Sequence, residues 1–137
     1  MRLPPLTELL TYKNERVVRY FCHLYPDFSH EKSTQLFQDL LAWMWLNAYR
    51  QTNKRSTYLF GPLLIVDKMW HTFILHTRDY VDFCYRHFND YFHHHVEPAG
   101  FEHHLTAEEL ADFLQDCFEY LGENWVLRYF NDALDED

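Results

Sequence analysis

The sequence has little glycine and proline, with 3 Gly and 5 Pro in 137 residues. β-Sandwiches and β-barrels need many special backbone positions at their turns, which these two residue types supply. Their scarcity argues against both architectures and favours helices. A chain of this length buries roughly two-thirds of the surface that its unfolded form exposes, which is enough for one self-sufficient domain.

Basic residues and long apolar runs are also scarce. Lys and Arg total 12 against 21 Asp and Glu, for a net charge of −9. This balance argues against partners bound through their phosphates, nucleic acid above all, because such binding depends on clustered Lys and Arg. The longest apolar run, Leu40 to Leu46, is far below the roughly 20 residues of a membrane span. Two prolines interrupt the N-terminal segment, so we expect neither a membrane span nor a secretory signal.

Paired cysteines and the common catalytic motifs are missing. The three cysteines are Cys22, Cys84 and Cys117. Their odd number and wide spacing predict free thiols in a reducing compartment, so we expect a cytoplasmic protein. The chain has no Gly-rich phosphate loop, no His-Glu-x-x-His, no Gly-x-Ser-x-Gly and no EF-hand, which leaves the standard cofactor enzymes unsupported.

Apolar residues recur at helical spacing through most of the chain. Asn14 is a candidate N-cap for a helix that Pro26 stops, and Ser29 is one for the longest helix, about residues 30 to 50. That helix is apolar on more than one side, which predicts a central position. The polar segment from Gln51 to Pro62 is expected to be a loop, with Lys54 and Arg55 on the solvated surface.

Local signals also divide the second half of the chain. Thr77 is expected to cap a new helix within residues 64 to 89, and Asn89 to end it in a left-handed conformation. Residues 89 to 105 should be largely irregular, because Pro98 and Gly100 break regular structure. Thr106 opens a capping box, Gly122 ends that helix, and a last helix begins near Asn124 before an acidic tail at 132–137. We predict an all-α, single-domain bundle of five to seven helices spanning residues 1–137.

The stretch from Val66 to Pro98 concentrates the chemically active side chains, with six histidines, one cysteine and four aspartates in 33 residues. Asp67 and His71 are four residues apart, so on a helix they lie on the same side. Either both bind a metal, or Asp67 orients His71 by accepting its other N–H. The alternative is a simple hydrogen bond on the helix surface.

Cys84 and the run His93-His94-His95 could complete such a site. A thiolate with imidazoles suits zinc and also serves copper or iron. Cys84 lies on an apolar stripe, however, where a buried structural cysteine is the usual case. At most two of the three adjacent histidines can reach one ion, and His94 is the first choice because it is central. The alternative is a loop that stacks them on Tyr91 and Phe92. Weaker candidates are His76, His87, His103 and His104.

One motif in this stretch carries a family resemblance: Val66-Asp67-x-x-Trp70-His71-x-Phe73-Ile74-Leu75-x-Thr77-Arg78-Asp79-Tyr80-x-x-Phe83-Cys84, then an aromatic-rich turn and a His-His pair. It resembles the glycine-rich-domain-containing-protein-like family of small helical bacterial proteins. The family's Phe-Gly turn is here Phe88-Asn89, and its His pair is a triplet. Counting from Phe88 selects His93 and His94, whereas counting back from Pro98 favours His94 and His95. The resemblance implies a candidate site made of Asp67, His71, Cys84 and a His pair.

These observations predict a cytoplasmic metal-binding protein. We expect zinc bound by His71, Cys84 and His94, with Asp67 or a second histidine such as His93 completing a tetrahedron. The first alternative is a metal-free protein-interaction module, in which exposed aromatics such as Trp43, Tyr58 or Phe60 contact the partner. The second is a small metal-dependent hydrolase with an open coordination position. We expect a binding role rather than an enzymatic one.

Overall fold

The second and third helices begin where their capping residues predict. The computed structural model describes residues 1–95, 100 and 103–135. The Asn14 side chain accepts a hydrogen bond from the Val17 N–H (3.1 Å), and the Ser29 hydroxyl accepts one from the Lys32 N–H (3.1 Å). Both therefore satisfy amides left free at a helix start. The helices are α1 (Leu6–Leu9), α2 (Glu15–Leu24) and α3 (His30–Thr52).

The end of α3 is a Schellman motif that reverses the chain. The Arg55 N–H donates to the Arg50 carbonyl (2.9 Å), and the Lys54 N–H donates to the Gln51 carbonyl (3.0 Å). Lys54 has a φ of 56°, in the left-handed region where glycine or asparagine is usual. The chain then continues to a 3₁₀ turn at Gly61–Leu63, which leads directly into α4.

Helices α4 (Leu64–Leu75) and α5 (Thr77–Phe88) are separated by one residue, His76. The expectation that Thr77 caps α5 is wrong by one position, because His76 is the N-cap and its side chain makes no capping bond. Its ring Nδ1 instead lies 2.8 Å from the Thr72 carbonyl, one turn back in α4. Asn89 ends α5 with a φ of 55°, as its tolerance of the left-handed region predicts.

The C-terminal part contains α6 (Ala107–Asp116), a π-helical segment (Cys117–Leu121) and α7 (Glu123–Asp135). The capping box of Thr106 and Glu109 is present as predicted. The π-helical segment was not expected, although Gly122 ends it with a φ of 96°. Helix α7 continues to Asp135, so the predicted acidic tail is helical over most of its length. Residues 136–137 and Pro98 lie outside the described residues.

Helix α3 is central, as its apolar residues on more than one side predict. It packs against α1, α2, α4 and the π-helical segment, and α4 in turn packs against α2 and α5. Its core residues include Leu36, Phe37, Leu40, Leu41, Trp43, Met44 and Leu46. The described residues form seven α-helices and no strand, which confirms an all-α single domain. None of the described helices is both long and apolar enough to cross a membrane.

Two charged clusters inside the bundle escaped the sequence analysis. Arg50 is 2% exposed and donates to Asp116 (2.5 Å) and Asp112 (3.0 Å). Arg55 pairs with the same two carboxylates and is 35% exposed, so of the expected solvated pair only Lys54 is fully exposed. A second buried carboxylate, Asp39, accepts from Arg128 and Tyr129 of α7. These pairs fasten the C-terminal helices to α3.

Candidate metal centre

Helix α4 places Asp67 and His71 together on its outer side. Its other side is buried in the core through Val66, Met69, Trp70 and Phe73. Asp67 and His71 are one helical turn apart, so their side chains project in the same direction. The Asp67 carboxylate lies 3.5 Å from Nε2 of His71, which agrees with the spacing argument from the sequence.

The segment after α5 brings His94 back to α4. Phe92 is 2% exposed and packs against Trp70 and Phe88. Its carbonyl accepts a hydrogen bond of 2.5 Å from the Tyr80 hydroxyl, which itself accepts one from Nε1 of Trp70 (2.9 Å). The backbone is therefore held two residues before His94. The His94 ring lies on Trp70, with 4.3 Å between ring centroids.

Three side chains converge where α4 and this segment meet. Nε2 of His94 lies 2.6 Å from Oδ1 of Asp67 and 3.1 Å from Nε2 of His71. Ligands about 2.0 to 2.1 Å from a tetrahedral zinc ion are separated by roughly 3.4 Å. The separations of His71 from His94 and from Asp67, 3.1 and 3.5 Å, are close to this value. The 2.6 Å between His94 and Asp67 is a hydrogen-bond distance, which would have to lengthen for both groups to bind one ion. Among the described residues, Asp67, His71 and His94 are the group able to hold a metal ion.

Hydrogen bonding alone satisfies this arrangement poorly. Nε2 of a neutral histidine carries either a proton or a lone pair, not both. If His94 donates its proton to Asp67, His71 can only share that same proton through its own lone pair at 3.1 Å, which is a weaker contact. If it accepts from His71 instead, its lone pair faces the Asp67 carboxylate at 2.6 Å. A cation between the three groups attracts all of them at once.

The matched family model is described as UCP032817-like and covers residues 8–124. The chain belongs to the UCP032817-like family. Asp67, His71 and His94 all lie within the matched region. The family description names no ligand or activity, and this match leaves the resemblance to the glycine-rich-domain-containing-protein-like family as an expectation. Neither the curated proteins nor the solved structures compared with the chain include a match.

In this member of the UCP032817-like family, Cys84 lies apart from the three converging side chains. Its side chain is fully buried in the core, on the apolar stripe of α5. Burial raises the pKa of the Cys84 thiol, against the opposing effects of the Phe92 backbone and the Tyr80 hydroxyl. The structure therefore does not bring Cys84 together with His71, contrary to the expectation from the sequence. Cys84 instead supports the segment that carries His94.

The neighbouring histidines have separate contacts. His93 is exposed and packs edge-on against Tyr91, at 4.6 Å between ring centroids, and His95 is also exposed. Of the three adjacent histidines, His94 is the one with a ring nitrogen bonded to Asp67, at 2.6 Å. This agrees with the first choice of His94. His103 lies against Tyr58 and Glu109 instead.

The three converging groups open onto a groove of about 720 Å³, here called the histidine groove. The three candidate ligands differ in side-chain exposure: His71 is 54% exposed, Asp67 22% and His94 16%. A groove of this volume is within the range of small-molecule sites. Its lining includes Trp43, Asn47, Lys54, Tyr58, His93 and His103.

The far wall of the histidine groove is held by Glu109. Its carboxylate accepts from the Thr106 N–H (3.0 Å) and the Tyr58 hydroxyl (3.0 Å), and it lies 3.0 Å from Nε2 of His103. The Thr106 backbone bond, with help from Tyr58 and His103, lowers the pKa of Glu109 to about 2. Glu109 therefore stays ionised and holds both aromatic rings in place.

The aromatics expected to contact a protein partner are not exposed. Trp43 is 3% exposed, packs against Trp70 and donates its Nε1–H to the Tyr58 carbonyl (3.1 Å). The expectation of an exposed Trp43 is therefore wrong, because α3 is covered on this side by α4 and the 51–60 segment. Tyr58 and Phe60 are partly buried against Phe113.

Proposed function

We propose that this protein binds one divalent transition metal ion, zinc in the first instance, through Asp67, His71 and His94. The observation that carries the proposal is the convergence of the Asp67 carboxylate with Nε2 of His71 and Nε2 of His94, at separations of 2.6 to 3.5 Å. It is supported by the position of Nε2 of His94, which lies within 3.1 Å of both an Asp67 oxygen and Nε2 of His71. Cys84 is outside the ligand set in this proposal.

The donor atoms favour zinc without excluding iron or copper. Two imidazoles and one carboxylate form the protein part of several catalytic zinc sites. The same set holds iron(II) in the oxygenases with two histidines and one carboxylate, and imidazole also suits copper. Metal analysis must therefore cover all three elements.

Three protein ligands leave a coordination position for water or another ligand. Structural zinc sites are usually closed by four protein ligands, whereas catalytic sites keep one position open. Within residues 1–95, 100 and 103–135, three groups converge, and they face the histidine groove. A metal-bound water in that position is the nucleophile of hydrolytic metalloenzymes. A small metal-dependent hydrolase is therefore the second candidate function.

The test is metal analysis of the full chain, purified without an affinity tag. We expect close to one equivalent of zinc, or of iron or copper, and a melting temperature that falls when a chelator removes it, because a ligand bound to the folded state stabilises it. His71→Ala and Asp67→Asn should each lower the metal affinity at least tenfold, which is about 1.4 kcal/mol.

Two variants serve as controls for this test. His23→Ala removes an exposed histidine of α2 and should leave the metal content unchanged. Cys84→Ala should also retain the metal, although its core packing is altered. Absence of bound metal together with an unchanged melting temperature after chelator would refute the proposal and favour the metal-free interaction module. Loss of metal in Cys84→Ala but not in His71→Ala would instead restore the ligand set expected from the sequence.

A further inference from the structure

The histidine groove has a charge balance opposite to that of the whole chain. Asp67 is the one carboxylate among its described lining residues, and it belongs to the proposed metal site. The same lining contains Lys54, Arg55 and the exposed rings of His93 and His95. A chain with a net charge of −9 therefore keeps its surplus carboxylates out of this groove.

The two cationic residues of the groove are in different situations. Arg55 pairs with Asp112 at 3.2 Å and with Asp116 at 2.8 Å, so its charge is already neutralised. Lys54 is exposed and forms no ion pair with a described residue. Its ammonium group is therefore available to a negatively charged ligand in the groove.

Lys54 also occupies an uncommon backbone position. Lys54 is the residue after the C-cap of α3 and has a φ of 56°. Glycine adopts this left-handed conformation freely, whereas a residue with a Cβ does so at a cost. Asparagine is the usual second choice for this conformation. The chain has an asparagine, Asn53, one residue earlier, at the C-cap itself. The chain thus keeps a lysine where the Schellman motif alone would favour glycine.

We propose that the histidine groove binds a small phosphate-bearing molecule, with one phosphoryl oxygen at the open position of the metal and another at the Lys54 ammonium group. This inference rests on the proposed metal site. A metal ion and a lysine are a common pair of groups for binding phosphoryl oxygens. The overall negative charge, which argues against nucleic acid, does not prevent this binding, because the ion and Lys54 determine the local field. The groove volume suits a small ligand.

The experiment uses the full chain loaded with Co²⁺ and inorganic phosphate as the probe. Visible absorption of Co²⁺ reports changes in its coordination, and metal content is measured separately before each titration. We expect a saturable spectral change on adding phosphate, and no such change when chloride is added at equal ionic strength. A spectrum unaffected by phosphate, in protein with a full metal content, would overturn this inference and leave the proposed metal function intact.

The decisive variant is Lys54→Gly. It removes the ammonium group and places the preferred residue in the left-handed position, so the melting temperature should stay the same or rise. Its metal content should equal that of the wild type, while its phosphate affinity should fall about tenfold or more, as expected for a lost hydrogen bond to a charged group. Lys13→Ala, an exposed lysine outside the histidine groove, is the matched control. Equal phosphate affinity in Lys54→Gly and wild type would overturn the role of Lys54 and with it the inference.

Discussion

At the scale of single residues, the position of His94 depends on the buried residues that hold Phe92 as well as on its own contacts. The Tyr80 hydroxyl links Nε1 of Trp70 to the Phe92 carbonyl, at 2.9 and 2.5 Å. The Trp70 ring also packs against the His94 ring, with 4.3 Å between the ring centroids. The family resemblance draws attention to Asp67, His71 and Cys84, and the structure adds Tyr80 as the residue that positions the loop ligand.

Tyr80→Phe is expected to weaken metal binding without removing a ligand. The variant releases the Phe92 carbonyl and leaves the buried Trp70 N–H without a partner, which should lower the free energy of unfolding by about 1 to 3 kcal/mol. Because His94 is then less well placed, the metal dissociation constant should rise about tenfold, at the lower end of the range for groups that orient metal ligands. Competition with a chromophoric chelator measures the constant.

Tyr129→Phe is the matched control for this prediction. It also removes a partly buried hydroxyl, which bonds the Asp39 carboxylate at 2.6 Å far from the metal site. It should lower stability but leave the metal dissociation constant unchanged. If both variants changed metal affinity equally, the effect of Tyr80 would be one of general stability and not of positioning.

At the scale of elements, the candidate site depends on α4 and on the C-terminal end of α5. Helix α4 supplies two candidate ligands one turn apart, and α5 then leads away from them. Asn89 reverses the chain at the end of α5 through its left-handed backbone. Five residues later, His94 reaches Asp67. The end of α5 at Asn89 is therefore as necessary to the convergence of the three side chains as the side chains themselves.

Asn89→Ala should destabilise the fold by about 1 to 2 kcal/mol, because alanine adopts a φ of 55° only at that cost. Asn89→Gly should leave the free energy of unfolding near that of the wild type, since glycine adopts this conformation freely. Urea denaturation followed by circular dichroism measures both. Asn53→Ala, at the C-cap of α3 with a φ of −103°, should have a smaller effect than Asn89→Ala. The argument fails if Asn89→Ala is as stable as Asn89→Gly.

At the scale of the whole molecule, the groove exists because the C-terminal helices are fastened to α3. Arg50 and Arg55 join the end of α3 and its following loop to Asp112 and Asp116 of α6. Tyr58, on the same 51–60 segment, bonds Glu109 of α6. These contacts hold the 51–60 segment, which lines the histidine groove, against α6.

Arg50→Met should destabilise the protein by about 3 kcal/mol, because removing one partner of a buried ion pair leaves the other without compensation. The continued pairing of Asp116 with Arg55 keeps the cost at the lower end of the range for buried pairs. Arg86→Met is the control, since its pair with Asp82 is exposed and should contribute less than about 1 kcal/mol. Denaturant titration of the two variants compares them, and similar losses would contradict the importance of the buried cluster.

Local sequence signals determined most of the fold. Caps such as Asn14, Ser29, Asn89 and Thr106 act through bonds within one turn, so they can be read without knowledge of the tertiary structure. The error at Thr77 arose because His76 serves two helices at once, which capping preferences alone do not reveal. The pairing of Asp67 with His71 was equally predictable from helical periodicity.

Only the tertiary structure decided which side chains join that pair. The sequence offered both Cys84 and His94 as candidates, with a buried structural cysteine as the usual case for Cys84, and Cys84 does lie on the face of α5 that packs into the core. His94 reaches Asp67 through contacts of Phe92 with Trp70, Tyr80 and Phe88, which involve three different parts of the chain. The buried Arg50 cluster likewise joins residues more than 60 positions apart. Periodicity describes one helix at a time, whereas convergence depends on how the helices pack together.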